Sequence, residues 1–118
     1  MQIHKDQIDS IRLLSLIGKV DDENAAVLQD HLQQDIQAGV RLVILDLRQV
    51  DYISSSGLGV ISAKYISLDV REGCLVLAHL NPKIKRIFTL TKILQVIPHF
   101  DSVADAAGYL KALSRQQV

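Results

Sequence analysis

The stretch RLVILDLRQVDYISSSGLG, residues 41–59, places three successive serines between an apolar segment and a helical pattern. Residues 41–47 are a nearly continuous apolar run of strand length, which is typical of a central strand covered on both faces in a partly parallel sheet. Residues 48–54 resemble a turn. Residues 55–72 then space their apolar side chains at helical intervals, and Gly73 is predicted to end that helix. The serines are therefore predicted to lie where the central strand gives way to a helix.

Strands and amphipathic helices alternate on either side of this stretch, after an opening strand pair. Asp21 or Asp22 can cap the first helix, and Gly39 can stop it. Further strands are predicted at 11–20, 74–80 and 96–100, and further helices at 23–38, from Asn81-Pro82 and from Val103. This order predicts an α/β fold, with a mixed β-sheet of about four or five strands and about four packed α-helices.

The composition limits the class of protein. With 118 residues and 48% hydrophobic content, the chain is expected to form a single domain, residues 1–118. Lysine plus arginine (13) balance aspartate plus glutamate (13), so no net positive field is present to bind nucleic acid or an anionic membrane. The N-terminus is polar and no window reaches the roughly 18 apolar residues of a membrane span, so a cytoplasmic protein is expected. The single cysteine, Cys74, lies in an apolar segment and is expected to be a buried, unreactive thiol.

The start of the helix after the serines suits an anion. A helix N-terminus presents free backbone N–H groups and about half a positive charge, which together stabilise an anion placed there. A phosphoserine would add close to two negative charges to the surface without unfolding the domain. Gly57 and Gly59 are expected to leave this surface bare enough for the backbone of another protein to approach. From the triplet alone, the simpler interpretation is a helix cap, which contributes roughly 1 kcal/mol to stability.

Three longer segments extend this interpretation: IRLLSLIGKVDDENA, LVILDLRQVDYISSSGLGVI and LAHLNPKIKRIFTLTKI. They resemble successive segments of a STAS domain, and most of all the anti-sigma factor antagonist family. In that family the first serine of a Ser-Ser-Gly unit is phosphorylated, which implies that Ser55 is the phosphorylated residue. The family also carries an acidic residue after the second strand, which implies that Asp21 borders Ser55. The resemblance therefore implies a partner-binding surface made of Asp21, Ser54, Ser56, Gly57 and Leu58 around Ser55.

The resemblance also implies a function. The unphosphorylated domain would bind a serine-kinase anti-sigma factor and free its sigma factor; phosphorylation of Ser55 would break this exchange, and a metal-dependent serine phosphatase would restore it. The domain itself would catalyse no reaction and use no cofactor or metal. An alternative is a STAS phosphoswitch or scaffold that acts on a non-sigma target, such as a signalling enzyme or a sensory assembly. The sequence leaves open a weak homodimer, and whether Ser54 or Ser56 can be modified in place of Ser55.

Two residues depart from the pattern of the family. Ser54 stands where many antagonists have aspartate directly before the phosphorylated serine, so the contact with the kinase is expected to differ. Lys92 stands where many members have glycine in a Leu-Thr-Gly segment. That second departure concerns the end of the third helix and is expected to be structural.

Other sites are disfavoured by the residues themselves. The stretch from Gly57 to Ser62 begins like a dinucleotide fingerprint but has Ser62 in place of the third glycine, and Ser55 lacks the first glycine of a nucleophile elbow. Phosphoryl transfer would need a nucleotide cradle and metal ligands, which the sequence does not supply. The basic residues Lys83, Lys85 and Arg86 are interpreted as the solvated face of a helix, with a patch for an acidic partner as the alternative. The four histidines are too scattered to indicate a metal site: His4, His31, His79 and His99.

Overall fold

The computed structural model describes residues 1–116 as one sheet packed with four helices. The strands are β1 (Gln2–Ile8), β2 (Ile11–Val20), β3 (Leu42–Ile53), β4 (Cys74–Ala78) and β5 (His99–Phe100), and the helices are α1 (Asp22–Gln37), α2 (Ser55–Val70), α3 (Pro82–Leu90) and α4 (Val103–Gln116). The strands lie side by side in chain order. β1 is antiparallel to β2, and the other neighbours are parallel. This mixed sheet of five strands with four helices confirms the predicted fold class.

Two apolar layers hold the helices to the sheet. The larger layer joins residues of β2, β3 and β4 to buried side chains of α1, α2 and α3. The smaller layer joins the opposite face of the sheet to Ala106, Ala107 and Leu110 of α4. The apolar stripe predicted for α1 is fully buried, and it consists of Ala25, Leu28, Leu32 and Ile36. Residues three and four apart lie on one face of a helix, and this face of α1 packs into the larger layer.

The central strand, β3, is longer than the sequence suggested. The segment 48–53 was expected to form a turn, but it continues to pair with β2 as far as Ile53. The pairing register shifts twice, and each shift places one more residue on β3 than on β2. These bulges space the buried residues Leu47, Val50 and Ile53 three apart, which hides the two-residue period of a strand. The serines therefore follow a strand that ends at Ile53, and not one that ends at residue 47.

The helix ends explain three positions in the sequence. Gly39 follows α1 with φ +99°, as predicted for a stop residue. α2 ends differently from the prediction, because Glu72 takes the left-handed conformation (φ +62°) and the N–H of Gly73 donates to the carbonyl oxygen of Leu68 at 2.7 Å. A side chain on Gly73 would overlap the carbonyl oxygen of Arg41. Gly73 is therefore required by the close approach of two backbones rather than by the helix stop.

The predicted start of α3 is confirmed. Asn81 is its N-cap, with Oδ1 accepting from the N–H of Ile84 at 3.0 Å, and Pro82 follows at the first helical position. Asn81 also donates from Nδ2 to the carbonyl oxygen of Val50 at 2.7 Å. This second bond ties the start of α3 to β3. Within residues 1–116, no helix is both long and apolar enough to cross a bilayer.

Lys92 occupies a position that favours glycine. It follows α3 with φ +63°, and its N–H donates to the carbonyl oxygen of Thr89 at 3.1 Å. Lys92→Gly is expected to raise the free energy of unfolding by about 0.5–1 kcal/mol, because glycine takes the left-handed conformation without steric strain. Urea unfolding should show a higher midpoint at an unchanged slope. Lys92→Ala keeps the strained conformation and is the control; an equal gain in both variants would contradict the explanation.

Candidate functional site

The ends of two strands meet at one edge of the sheet. β2 and β3 are parallel and stay paired as far as Val20 and Ile53, so their carboxyl ends lie side by side, whereas β4 ends opposite Asp46. Asp21 directly follows β2, and Ser54 directly follows β3. The N–H of Ser54 donates to the carbonyl oxygen of Val20 at 2.9 Å, which fixes the end of β3 beside the end of β2. This edge brings the predicted acidic residue and the predicted serines to the same part of the surface.

Ser54 serves the start of α2. Its Oγ accepts a hydrogen bond from the N–H of Gly57 at 3.1 Å, and its carbonyl oxygen accepts from the N–H of Leu58 at 3.0 Å. Only 8% of Ser54 is exposed. Aspartate is as good an N-cap as serine, so Ser54 supplies the same cap without the negative charge that an aspartate would bring.

Ser55 and Ser56 are exposed and form the first two residues of α2. The first N–H groups of a helix have no partner inside the helix, and the dipole adds positive character there. The first turn of α2 contains no acidic residue. An anion on Ser55 would therefore find a favourable electrostatic position on the helix itself.

Gly57 is buried, which differs from the bare surface expected for it. A Cβ atom at Gly57 would lie 2.8 Å from Cγ1 of Val20, 3.1 Å from Cγ2 of Ile53 and 3.2 Å from the carbonyl oxygen of Val20. Its missing side chain thus allows α2 to begin close against the ends of β2 and β3. Gly59 is exposed, and beyond its own helix backbone an added Cβ would meet no atom within 4 Å. Leu58 is half-buried and packs partly against the core.

Asp21, Asp22 and Glu23 form an acidic rim beside the serines. Asp21 caps α1, with Oδ1 accepting from the N–H of Asn24 at 2.9 Å. A surface depression of about 270 Å³ is lined by the acidic rim together with Tyr52 and Ser54. Among the ion pairs of residues 1–116, none involves the acidic rim. These carboxylates are available to a basic group on a partner.

Three residues of this depression were missed by the sequence analysis: Asp22, Glu23 and Tyr52. Tyr52 is exposed on the part of β3 that extends to Ile53. The sequence feature that could have predicted this exposure is the apolar pair Val50 and Ile53, because both are buried while Tyr52 between them faces outward. Asp22 and Glu23 follow Asp21 in the first turn of α1. Acidic residues are common in a first turn for reasons of stability alone, so their sequence position did not indicate a surface role.

The other chemically active side chains do not line this depression. Cys74 is buried, and burial, with a smaller contribution from Asp69, raises the pKa of its thiol to about 11. The thiol therefore stays protonated and unreactive near neutral pH. Lys83, Lys85 and Arg86 are exposed on α3, as expected for a solvated face. Among residues 1–116, no three His, Cys, Asp or Glu side chains come together in a group that could hold a metal ion.

The sequence matches the model of a known domain family. Residues 2–106 match the model of the STAS domain. A candidate anti-sigma factor antagonist of Bordetella bronchiseptica, BtrV, is 36% identical over 116 residues, which cover 98% of this chain and 100% of BtrV.

Solved structures share the fold. The crystal structure of a candidate anti-sigma factor antagonist from Thermotoga maritima matches with a TM-score of 0.89 at 23% identity, covering 92% of this chain and 94% of that one. The antagonist SpoIIAA in its unphosphorylated form matches with a TM-score of 0.72 at 15% identity, covering 98% of both chains. The phosphorylated form of SpoIIAA from Bacillus matches with a TM-score of 0.73 at 14% identity, covering 92% of this chain and 98% of that one.

Proposed function

This chain belongs to the STAS-domain family and groups with its anti-sigma factor antagonists over nearly its whole length, and from this premise we propose that it is a partner-switching antagonist controlled at Ser55. In the unphosphorylated state it binds an anti-sigma factor and thereby frees the sigma factor. Phosphorylation of Ser55 prevents that binding.

One observation carries the proposal. Of the three serines, Ser54 is buried and committed to the helix cap, whereas Ser55 is exposed at the positive end of α2. A phosphate on Ser55 would be tolerated by the domain, because free N–H groups and the helix dipole stabilise an anion there. Ser56 is also exposed, so it is the main alternative site of phosphorylation.

The switch would act through the partner's side of the interface. An unphosphorylated surface presents the acidic rim and a small neutral hydroxyl, which suit a partner with a basic group over the rim. A dianion at Ser55 would have to be desolvated in the complex, and burial of an uncompensated charge is strongly unfavourable. Phosphorylation would therefore weaken association while leaving the fold intact.

The finer parts of the proposal follow from family membership. The anti-sigma factor is proposed to be the serine kinase that modifies Ser55, and a metal-dependent serine phosphatase is proposed to reverse the modification. The chain is proposed to act as a single domain in the cytoplasm, and to bind its partners without catalysing a reaction. A weak homodimer stays a prediction.

Release of the sigma factor tests this function. Unphosphorylated protein added to a purified complex of the anti-sigma factor with its sigma factor is expected to free the sigma factor, because the two proteins compete for one partner. Size-exclusion chromatography of the mixture measures the release. Protein phosphorylated beforehand by the kinase should release none, and peptide mapping should find the phosphate on Ser55.

Two variants serve as controls for the modified residue. Ser55→Ala should accept no phosphate, whereas Ser56→Ala should be phosphorylated like the wild type. Release of no sigma factor by the unphosphorylated protein would contradict the function. If pull-down from cell extract recovers a signalling enzyme and no anti-sigma factor, the STAS phosphoswitch with a non-sigma target replaces it.

A further inference from the structure

A groove between α2 and the segment that follows α3 is lined mainly by apolar side chains. We call it the docking groove; it is lined by Ser62, Tyr65, Ile66, Thr91, Lys92, Ile93, Val96 and Ile97. Ile66 is 61% exposed and Val96 is 62% exposed. Leu90, which is 73% exposed, directly precedes the residues of the groove, and the exposed Val70 lies one helical turn beyond Ile66. Large apolar side chains so exposed in one place indicate an interaction surface.

The size of the docking groove favours a protein side chain as its occupant. Its volume is about 250 Å³. Pockets that enclose a small molecule usually measure roughly 300–1,000 Å³ and surround most of the ligand. A shallow groove with exposed apolar walls instead suits one or two apolar side chains from a flat protein surface, which is how anchor residues bind.

The docking groove continues the surface around Ser55. On a helix with 3.6 residues per turn, Ser55, Gly59, Ser62 and Ile66 fall on one side of α2. Ser55 and Ile66 are about 16 Å apart along this line at a rise of about 1.5 Å per residue. A protein interface of standard size covers about 800 Å² on each partner, a patch about 30 Å across. A partner whose contact surface includes Ser55 and extends along α2 is therefore large enough to cover Ile66 as well.

The surface around Ser55 and the docking groove differ in chemistry, and together they provide what a stable interface needs. Around Ser55 the surface is polar, with the acidic rim on one side, and Tyr52 is the large exposed apolar residue there. Stable interfaces need a desolvated apolar centre in addition to a polar border. The docking groove supplies that centre, and Lys92 places a positive charge on its wall. Within residues 1–116, Lys92 takes part in no ion pair.

We propose that the anti-sigma factor that reads Ser55 also inserts an apolar side chain, flanked by a carboxylate, into the docking groove of this chain. The inference rests on the proposed function and adds a second contact to it. The docking groove holds the partner through apolar burial, and Ser55 decides whether the rest of the interface can close. Affinity and switching are thereby assigned to different ends of α2.

Isothermal titration of the purified anti-sigma factor with Ile66→Glu tests the second contact. Ile66→Glu is expected to weaken binding of the unphosphorylated protein by about tenfold or more, since it places a charge in the apolar centre. Lys92→Glu should weaken binding by a smaller factor that shrinks as salt is added, because a charge at the wall is screened. Phosphorylation of Ser55 should weaken the remaining binding of Lys92→Glu by the same factor as in wild type.

Ala112→Glu is the matched control, because Ala112 is an exposed apolar residue of α4, which packs against the opposite face of the sheet. It should bind like the wild type, and thermal unfolding should show that all variants are folded. If Ile66→Glu binds like the wild type while phosphorylation still abolishes binding, the docking groove proposal is wrong and the switch stands. If sedimentation shows that Ile66→Glu only disrupts a homodimer, the groove binds a second copy and the proposal is again wrong. If the wild type does not bind the anti-sigma factor at all, the proposed function fails first.

Discussion

Ser55→Asp is expected to lower the affinity for the anti-sigma factor by about a hundredfold or more, since an uncompensated carboxylate buried within an interface costs several kcal/mol. The same substitution should leave the free energy of unfolding within about 0.5 kcal/mol of wild type, because the helix dipole favours an anion in the first turn of α2 by a similar amount. Titration calorimetry measures the affinity, and urea unfolding measures the stability. The two measurements together separate a switch from a damaged fold.

Ser55→Ala and Ser54→Ala are the two control substitutions for this prediction. Ser55→Ala should bind like the wild type, because a small neutral side chain is kept. Ser54→Ala should lower the free energy of unfolding by about 1 kcal/mol, since it removes the cap bond from Oγ to the N–H of Gly57. Equal binding by Ser55→Ala and Ser55→Asp would move the switch away from Ser55. A stability loss in Ser55→Asp as large as in Ser54→Ala would mean that Ser55 has a structural role.

Periodicity and capping chemistry were sufficient to predict most of the fold. The stripe of α1 was evident because its four apolar residues recur at three and four, and all of them are buried. Asn81 and Pro82 marked the start of α3, because an amide cap and a residue without an N–H are both favoured there. Such local rules need no knowledge of distant contacts. The alternation of strands and helices then limited the topology to a mixed sheet.

Features that depend on distant contacts were not predictable. The extension of β3 to Ile53 depends on two register shifts against β2, and nothing in residues 48–53 alone reveals them. Gly73 was expected to stop α2, but it is fixed by the backbone of Arg41, more than thirty positions earlier. The docking groove was likewise not predictable, because it forms between α2 and the segment after α3.

Among the three serines, the resemblance to a known family indicated Ser55 as the phosphorylated residue, and the structure adds a physical reason for that choice. From the triplet alone, each of Ser54, Ser55 and Ser56 could cap the helix or accept a phosphate. The cap bond of Ser54 and its burial leave Ser55 as the first exposed hydroxyl of α2. The acidic rim was only partly predicted, since Asp22 and Glu23 were interpreted through α1 and not through the depression they share with Tyr52.

Gly57→Ala is expected to lower the free energy of unfolding by about 1–2 kcal/mol, and to weaken partner binding with it. Overpacking of a tight contact costs about 1–3 kcal/mol, against a gain of up to about 1 kcal/mol from better helix propensity. The contacts that must yield are Cγ1 of Val20 at 2.8 Å, Cγ2 of Ile53 at 3.1 Å and the carbonyl oxygen of Val20 at 3.2 Å. Because the end of β2 also leads into the acidic rim, the strain falls on the recognition surface. Urea unfolding and titration calorimetry measure the two effects.

Gly59→Ala is the matched control, because the same chemical change at an open position should raise the free energy of unfolding by about 0.5–1 kcal/mol. The opposite signs arise from packing alone, since both glycines lie in α2. Adding Val20→Ala to Gly57→Ala removes the methyl group that would be struck first, so a double-mutant cycle should give a favourable coupling of about 1 kcal/mol. Rescue should be incomplete, because the carbonyl oxygen of Val20 stays at 3.2 Å from the new Cβ. No coupling between residues 20 and 57 would contradict a clash with the Val20 side chain and would leave Cγ2 of Ile53 and the carbonyl oxygen of Val20 as the source of the strain.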